Sequence, residues 1–242
     1  MRHDAVCISD LHLGGDNCRA DDLLDFLGRV RRGEVATDRL VLNGDVFDSI
    51  DFRRLKKRHW KVLSELRKLA GQIEVVWVVG NHDGPAEVVS HLLGVAVADE
   101  YVVESAGRRV LFLHGHRFDR FISRRPVLTW LADRVYRFVQ RLDRSHALAR
   151  FLKRQSKTFL RSTETIRRGA VEYALTRDCD VVCCGHTHLP LALPLELPNV
   201  RAVSYYNSGC WTERPCHYLT LGGGDVALHR FAPEPAAVPV GG

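Results

Sequence analysis

The chain has 242 residues, 45% of them hydrophobic and 26% charged, with a net charge of +6, which suits one α/β domain with a full core and excludes a fibrous or disordered protein. No apolar run approaches the ~20 residues that span a bilayer, and the opening "MRHDAVCISD" lacks the apolar core and small-residue cleavage site of a secretory signal. A cytoplasmic protein is therefore expected, and seven cysteines without C-x-x-C spacing suit buried thiols in a reducing compartment better than a disulfide framework.

In chain order, the first predicted strand, 5–10, runs into "SDLH" and delivers Asp10 and His12. A helix follows over 21–32, then a strand over 40–45 that ends in "NGDVFD", with Asp45 and Asp48. A helix over 53–70 leads to a strand over 73–80 and "GNHD", with Asn81, His82 and Asp83. A short helix is expected after Pro85, then strands over 101–104 and 109–114, the second ending in "HGH" with His114 and His116. Beyond an insertion, a strand over 181–185 ends in "GHTH" with His186 and His188, and a strand over 202–207 and a hairpin around 218–230 close the set. The Pro/Ala-rich tail, 232–242, is expected to be disordered.

Five strands thus end on metal-ligand residues. In open α/β sheets the carboxyl ends of strands form one rim, so these side chains can converge. Glycines 44, 80, 115 and 185 beside them would permit tight turns and close backbone approach. Asp10, His12, Asp45, Asn81, His114, His186 and His188 mix carboxylate, imidazole and amide, which suits borderline divalent metals. Seven ligands exceed a mononuclear site and point to two ions sharing a carboxylate. Two cations would acidify a bridging water, aim the resulting hydroxide in line at phosphorus and offset the charge on the phosphoryl oxygens. His82 is the candidate to donate a proton to the leaving oxygen or to stabilise the equatorial charge, with Asp83 a candidate to orient its ring. Asp48 would orient a ligand or cap a turn, and His116 would support a ligand from behind or line the rim. His3, His59, His91, His146, His217 and His229 belong to no motif and are expected to be surface or satisfied histidines.

Charge is concentrated in the insertion. Residues 117–168 hold fifteen Arg and Lys against four Asp and Glu, leaving about −5 on the remainder. Within it, Leu131, Val135 and Phe138 fall on one helical face and Arg137 and Arg141 opposite. Such a helix is a candidate lid for an acylated substrate or an anionic membrane surface, a hairpin packed on its own core, or a nucleic-acid track.

The ordered motifs resemble those of the calcineurin-like metallophosphoesterases from Val6 to about Trp211. That resemblance implies a four-layer αββα sandwich of two mixed sheets, read as one domain over 1–231 with a helical insertion at about 117–178. It also implies that Asp10, His12, Asp45 and His188 hold one metal, that Asp45, Asn81, His114 and His186 hold the other, and that His82 faces the substrate. Mn²⁺ is the expected ion, with iron or zinc as alternatives. "SDLHLGGDNCRADDLLDFL", "HGHRFD" and "YYNSGCWTER", which includes the candidate Asn207, are similar to the bacterial UDP-2,3-diacylglucosamine pyrophosphatases of lipid A synthesis. These imply a UDP-linked glycolipid as substrate, cleaved to UMP and a lipid sugar 1-phosphate at the inner face of the membrane. A nuclease or nucleotide phosphodiesterase with the same centre is the alternative. A silent scaffold would be expected to have lost ligands, and none of the seven is missing.

Overall fold

The computed structural model describes residues 2–84, 86–119, 157–194 and 202–233. The chain divides into two compact units, Gly115–Tyr173 and the remainder. The lid candidates Leu131, Val135, Arg137, Phe138 and Arg141, His146 and the tail residues 234–242 lie outside the described residues.

The larger unit is built on two mixed sheets. The first has the order β11-β10-β1-β2-β3-β4, from β1 (Ala5–Ile8), β2 (Arg39–Asn43), β3 (Glu74–Val78), β4 (Ala96–Ala98), β10 (His217–Gly222) and β11 (Asp225–Arg230). The second has the order β5-β6-β7-β9-β8, from β5 (Tyr101–Ser105), β6 (Arg108–Phe112), β7 (Val181–Cys184), β8 (Leu191–Leu193) and β9 (Ser204–Asn207). β1 to β4 run parallel, as do β6, β7 and β9, so the carboxyl ends of each set share one edge.

Side-chain alternation explains the layering. In β1, Ala5 and Cys7 join Val41, Val78, Val110, Phe112, Val181 and Cys183 in a core between the sheets. Val6 and Ile8 point the other way, with Leu40, Leu42, Val75 and Trp77, into a core under α1 (Ala20–Arg32), α2 (Lys57–Ala70) and α3 (Ala86–Leu93). A strand buried on both faces reads as a near-continuous apolar run, as "AVCI" in β1, "LVL" in β2 and "VVWV" in β3 do. Trp77 is fully buried, and truncating so large a core side chain costs ~3–5 kcal/mol. α1 carries Asp21 and Asp22 in its first turn and Arg29, Arg31 and Arg32 in its last, which complements the helix dipole. It stops at Gly33, whose left-handed φ of 78° lets its N–H reach back to Arg29 and Val30.

Three expectations need correction. The helix expected over 53–70 is split into a 3₁₀ turn, Phe52–Arg54, and α2, because Leu55 and Lys56 are extended and Leu55 packs on the core. His59 Nδ1 then accepts the Lys56 N–H at 3.1 Å and closes the start of α2. The strands expected to run into the ligand motifs stop earlier, β1 at Ile8 and β2 at Asn43. The three-residue strands β4 and β8 are too short to show a pattern in sequence.

In the smaller unit a 3₁₀ turn, His116–Phe118, and most of α4 (Lys157–Thr176) are described. A Cβ at Gly169 would lie 2.8 Å from the Phe118 ring, so only glycine allows this packing. Arg117 lies over the Tyr173 ring at 4.9 Å. No helix among the described residues is long and apolar enough to cross a membrane.

Candidate metal centre

The loops after β1, β2, β3, β6 and β7 meet at the carboxyl ends of the parallel strands. Backbone bonds zip the first two together: Asp10 N–H donates to Gly44 O at 3.0 Å, His12 N–H to Asp45 O at 3.0 Å and Leu13 N–H to Val46 O at 2.8 Å. Asp10, His12, Asp45, His186 and His188 all have left-handed φ, between 48° and 64°. That conformation cannot continue a strand, which is why the strands end before them, and it is uncommon outside glycine. It turns each side chain abruptly into the rim.

Two groups result. Asp10, His12 and His188 offer one ligand atom each within 4.8 Å of one another, and so do Asp45, His114 and His186. In the first, His188 Nε2 lies 3.1 Å from Asp10 Oδ1 and 3.2 Å from His12 Nε2. In the second, His114 Nε2 lies 3.3 Å from Asp45 Oδ2. Asp45 Oδ2 is also 3.8 Å from His12 Nε2, so this oxygen faces both groups. A divalent ion bound at about 2.0–2.2 Å keeps its donors about 3–3.5 Å apart, which the His188–Asp10, His188–His12 and His114–Asp45 pairs match, while His12 and Asp10 are 4.0 Å apart.

The surroundings fit cations as well. Asp10 and Asp45 are almost fully buried, and Asp10 Oδ1 has no aligned hydrogen-bond donor. Burial alone would raise the Asp10 pKa, but His188 and His114 outweigh it and hold the carboxyl down at about 2. Asp45 is likewise held well below the usual range by His114, against its burial. Burial would lower His114, yet Asp45 and Asp10 bring it up to about 10. Protons on imidazoles thus offset the carboxylate charge, a place two divalent ions can take.

Other residues hold the ligands in position. His114 Nδ1 lies 2.9 Å from Asn43 O, which can only accept, so Nδ1 carries a hydrogen and Nε2 is the nitrogen that faces Asp45, the one free to take a metal once its proton leaves. The Asn43 side chain donates to Leu113 O at 3.2 Å and Cys183 O at 3.0 Å, tying β2 in one sheet to β6 and β7 in the other. Asn207 donates to Gly185 O at 2.6 Å and to Thr187 at 3.2 Å, fixing the loop of His186 and His188. His186 N–H donates to Asp10 Oδ2 and His82 N–H to Asp45 Oδ1. Gly44 is required by close approach, since a Cβ there would lie 2.3 Å from His114 Nδ1.

Asp48 sits 3.6 Å from His12 Nδ1 through Oδ1, while Oδ2 accepts from Arg54. Against its burial, His12 and Arg54 lower its pKa to about 2. The His82 ring is half-buried, 5.2 Å edge-on from His12, with Nδ1 3.0 Å from Asp48 O. Asp83 does not orient it. Its carboxylate is fully buried and accepts from Gly80 N, Asp45 N, Phe47 N and Trp77 Nε1 instead, so it braces the two ligand loops. Asn81, exposed, lies between Gly80 and His82. His116 is half-buried at the start of its 3₁₀ turn in the smaller unit. Asn43 and Arg54 were missed in sequence; a polar residue closing the apolar run "RLVLN" was the available signal for the first.

The calcineurin-like phosphoesterase family model matches residues 4–190. A UDP-2,3-diacylglucosamine hydrolase of Yersinia pestis bv. Antiqua (strain Angola) is 26% identical over 215 residues, covering 81% of this chain and 86% of the relative. One of Yersinia pseudotuberculosis serotype O:3 (strain YPIII) has the same identity and coverage. The solved structure of an archaeal phosphodiesterase, 16% identical, shares the fold with a TM-score of 0.51 over 94% of this chain and 99% of that one. Together with the paired ligand groups, this shows that the chain belongs to the calcineurin-like phosphoesterases, as a metal-dependent phosphoesterase.

Proposed function

We propose that the chain hydrolyses the pyrophosphate of UDP-2,3-diacylglucosamine, or of a similar UDP-linked glycolipid, to UMP and a lipid sugar 1-phosphate at the inner face of the membrane. The observation that carries the chemistry is the pair of ligand groups facing one Asp45 oxygen. The substrate class is supported by the names of the curated relatives. In this reading Asp10, His12, Asp45 and His188 hold one ion, and Asp45, Asn81, His114 and His186 the other, with Mn²⁺ favoured over iron or zinc. Two such ions supply an acidified water and positive charge for the phosphoryl oxygens.

The chain's own residues do the rest. Asn43, Asp48 and Asn207 keep the ligands oriented, as outer-shell partners do at metal sites. His82 hands a proton to the departing phosphate oxygen. Because the Asp48 carbonyl can only accept, Nδ1 keeps its hydrogen, and Nε2 delivers a proton only from the imidazolium form. Gripping of acyl chains by Leu131, Val135 and Phe138, with Arg137 and Arg141 toward phosphate or anionic lipid, is a proposal from sequence alone. The test is turnover with Mn²⁺ of UDP-2,3-diacylglucosamine, other UDP-sugars, cyclic nucleotides and single-stranded DNA. UMP release from the first is expected; turnover of the last two without the first would overturn the reading in favour of a nuclease or nucleotide phosphodiesterase.

A further inference from the structure

The insertion is not the only basic segment. "RRLKKRHWK", residues 53–61, carries six Arg and Lys and no acid, on a part of the chain that is otherwise acidic. Three of these charges are answered locally: Arg53 by Asp51, Arg54 by Asp48 and Lys56 by Asp16. Among the described residues, Lys57, Arg58 and Lys61 have no acidic partner within ion-pair distance. With Lys56, Asp21 and Leu24 they line a surface cleft of about 490 Å³ between α1 and α2.

The helix itself separates two faces. His59, Val62, Leu63, Leu66 and Leu69 are buried, and Lys57, Trp60, Lys61, Ser64, Arg67 and Lys68 are exposed. Trp60 stands on the outward face, 55% exposed, while Trp77 and Trp211 are fully buried. An exposed tryptophan beside Lys57 and Lys61 is the arrangement that suits the boundary between headgroups and acyl chains.

We infer that the outward face of α2 docks the protein on an anionic phospholipid bilayer, with lipid phosphates at Lys57 and Lys61 and the Trp60 indole at the headgroup level. The face carries one exposed aromatic, Trp60, where a single-stranded nucleic acid would need successive stacking platforms. The face also leads into the metal rim: Arg54, just before α2, holds Asp48, which contacts His12. Docking would therefore bring the site near the bilayer. Only that bearing on catalysis rests on the lipid-substrate reading; the docking does not.

The experiment uses the full chain and vesicles of phosphatidylcholine with or without phosphatidylglycerol, free of any UDP-linked lipid, so that the substrate reading is not tested with it. Binding by co-sedimentation is expected only with phosphatidylglycerol, weakening as salt screens the charges. Each basic residue near such a surface strengthens binding about fivefold, so Lys57→Glu/Lys61→Glu should weaken it by more than about twentyfold. Trp60→Ser should also weaken binding and abolish most of the fluorescence blue shift on binding. Arg230→Glu, an exposed reversal on β11, should cost far less than Lys61→Glu alone. All four side chains are on the surface, so thermal midpoints and hydrolysis of bis(p-nitrophenyl) phosphate should be unchanged. The inference is overturned if the double variant binds like the parent, if Arg230→Glu and Lys61→Glu are equivalent, or if single-stranded DNA binds this face more tightly than the vesicles do.

Discussion

His114 donates its Nδ1–H to the backbone carbonyl of Asn43 at 2.9 Å, and this bond across the two sheets decides which imidazole nitrogen faces Asp45. The Asn43 amide fixes the carbonyl's position by donating to Leu113 O and Cys183 O.

Asn43→Ala should therefore cost more than its own bonds. Leu113 O and Cys183 O each lose the amide as a donor, with Cys183 O keeping the Leu113 N–H, which costs about 1–3 kcal/mol, and the His114 carbonyl partner can shift. Metal affinity should fall ~10–100-fold, as for loss of other outer-shell partners. Denaturant unfolding and metal titration check both; a variant as stable as the parent with full affinity would mean that the bridge does not position His114.

Asp45 has a different role from its neighbours because one of its oxygens faces both groups. Asp45→Ala should lower activity by ~10³ or more and leave fewer than two ions per chain. Elemental analysis of the purified variant is the direct measurement. Near-normal turnover with both ions retained would remove Asp45 from the bridging position.

The ligand rim was legible in the sequence because each ligand follows an apolar strand and sits beside a glycine, as in "NGD" and "GHTH". The strand ends were not, because left-handed φ at Asp10, Asp45 or His186 has no signature of its own in sequence. The roles of Asn43 and Asp83 depend on partners remote in sequence, up to 140 residues away for Cys183. Adjacency misled for Asp83, since successive residues of the turn point apart: His82 toward Asp48 O, Asp83 toward Trp77 and the backbone. Leu55 kept the helical period while leaving the helix to join the core.

His82→Ala should leave both ions in place and reduce kcat by ~10²–10⁴. The deficit should shrink for substrates whose leaving group is a weak base and needs no proton. A series of aryl phosphodiesters of graded leaving-group pKa separates this from simple misfolding, which would depress all of them equally. Loss of a metal ion would make His82 a ligand.

The cysteines give a pH dependence whose sign can be worked out. All seven are buried and free. Burial pushes Cys18 and Cys216 up to about 12 and Cys210 to about 11, and drives Cys7 and Cys183 higher still. In the unfolded chain a thiol ionises near 8.5. From about pH 8 to about 11 the unfolded state therefore releases protons that the folded state keeps, so stability falls as pH rises through this range and is little affected by these groups below it. Denaturant midpoints measured from pH 7 to 11 should be flat at first and then decline. Since the thiolate is the reactive form, iodoacetamide at pH 8 should leave the native protein largely unlabelled and modify all seven cysteines once it is unfolded. Rapid labelling of a native cysteine, followed by mass spectrometry, would show that one of these thiols is accessible, and a midpoint that rises with pH above 9 would contradict the sign.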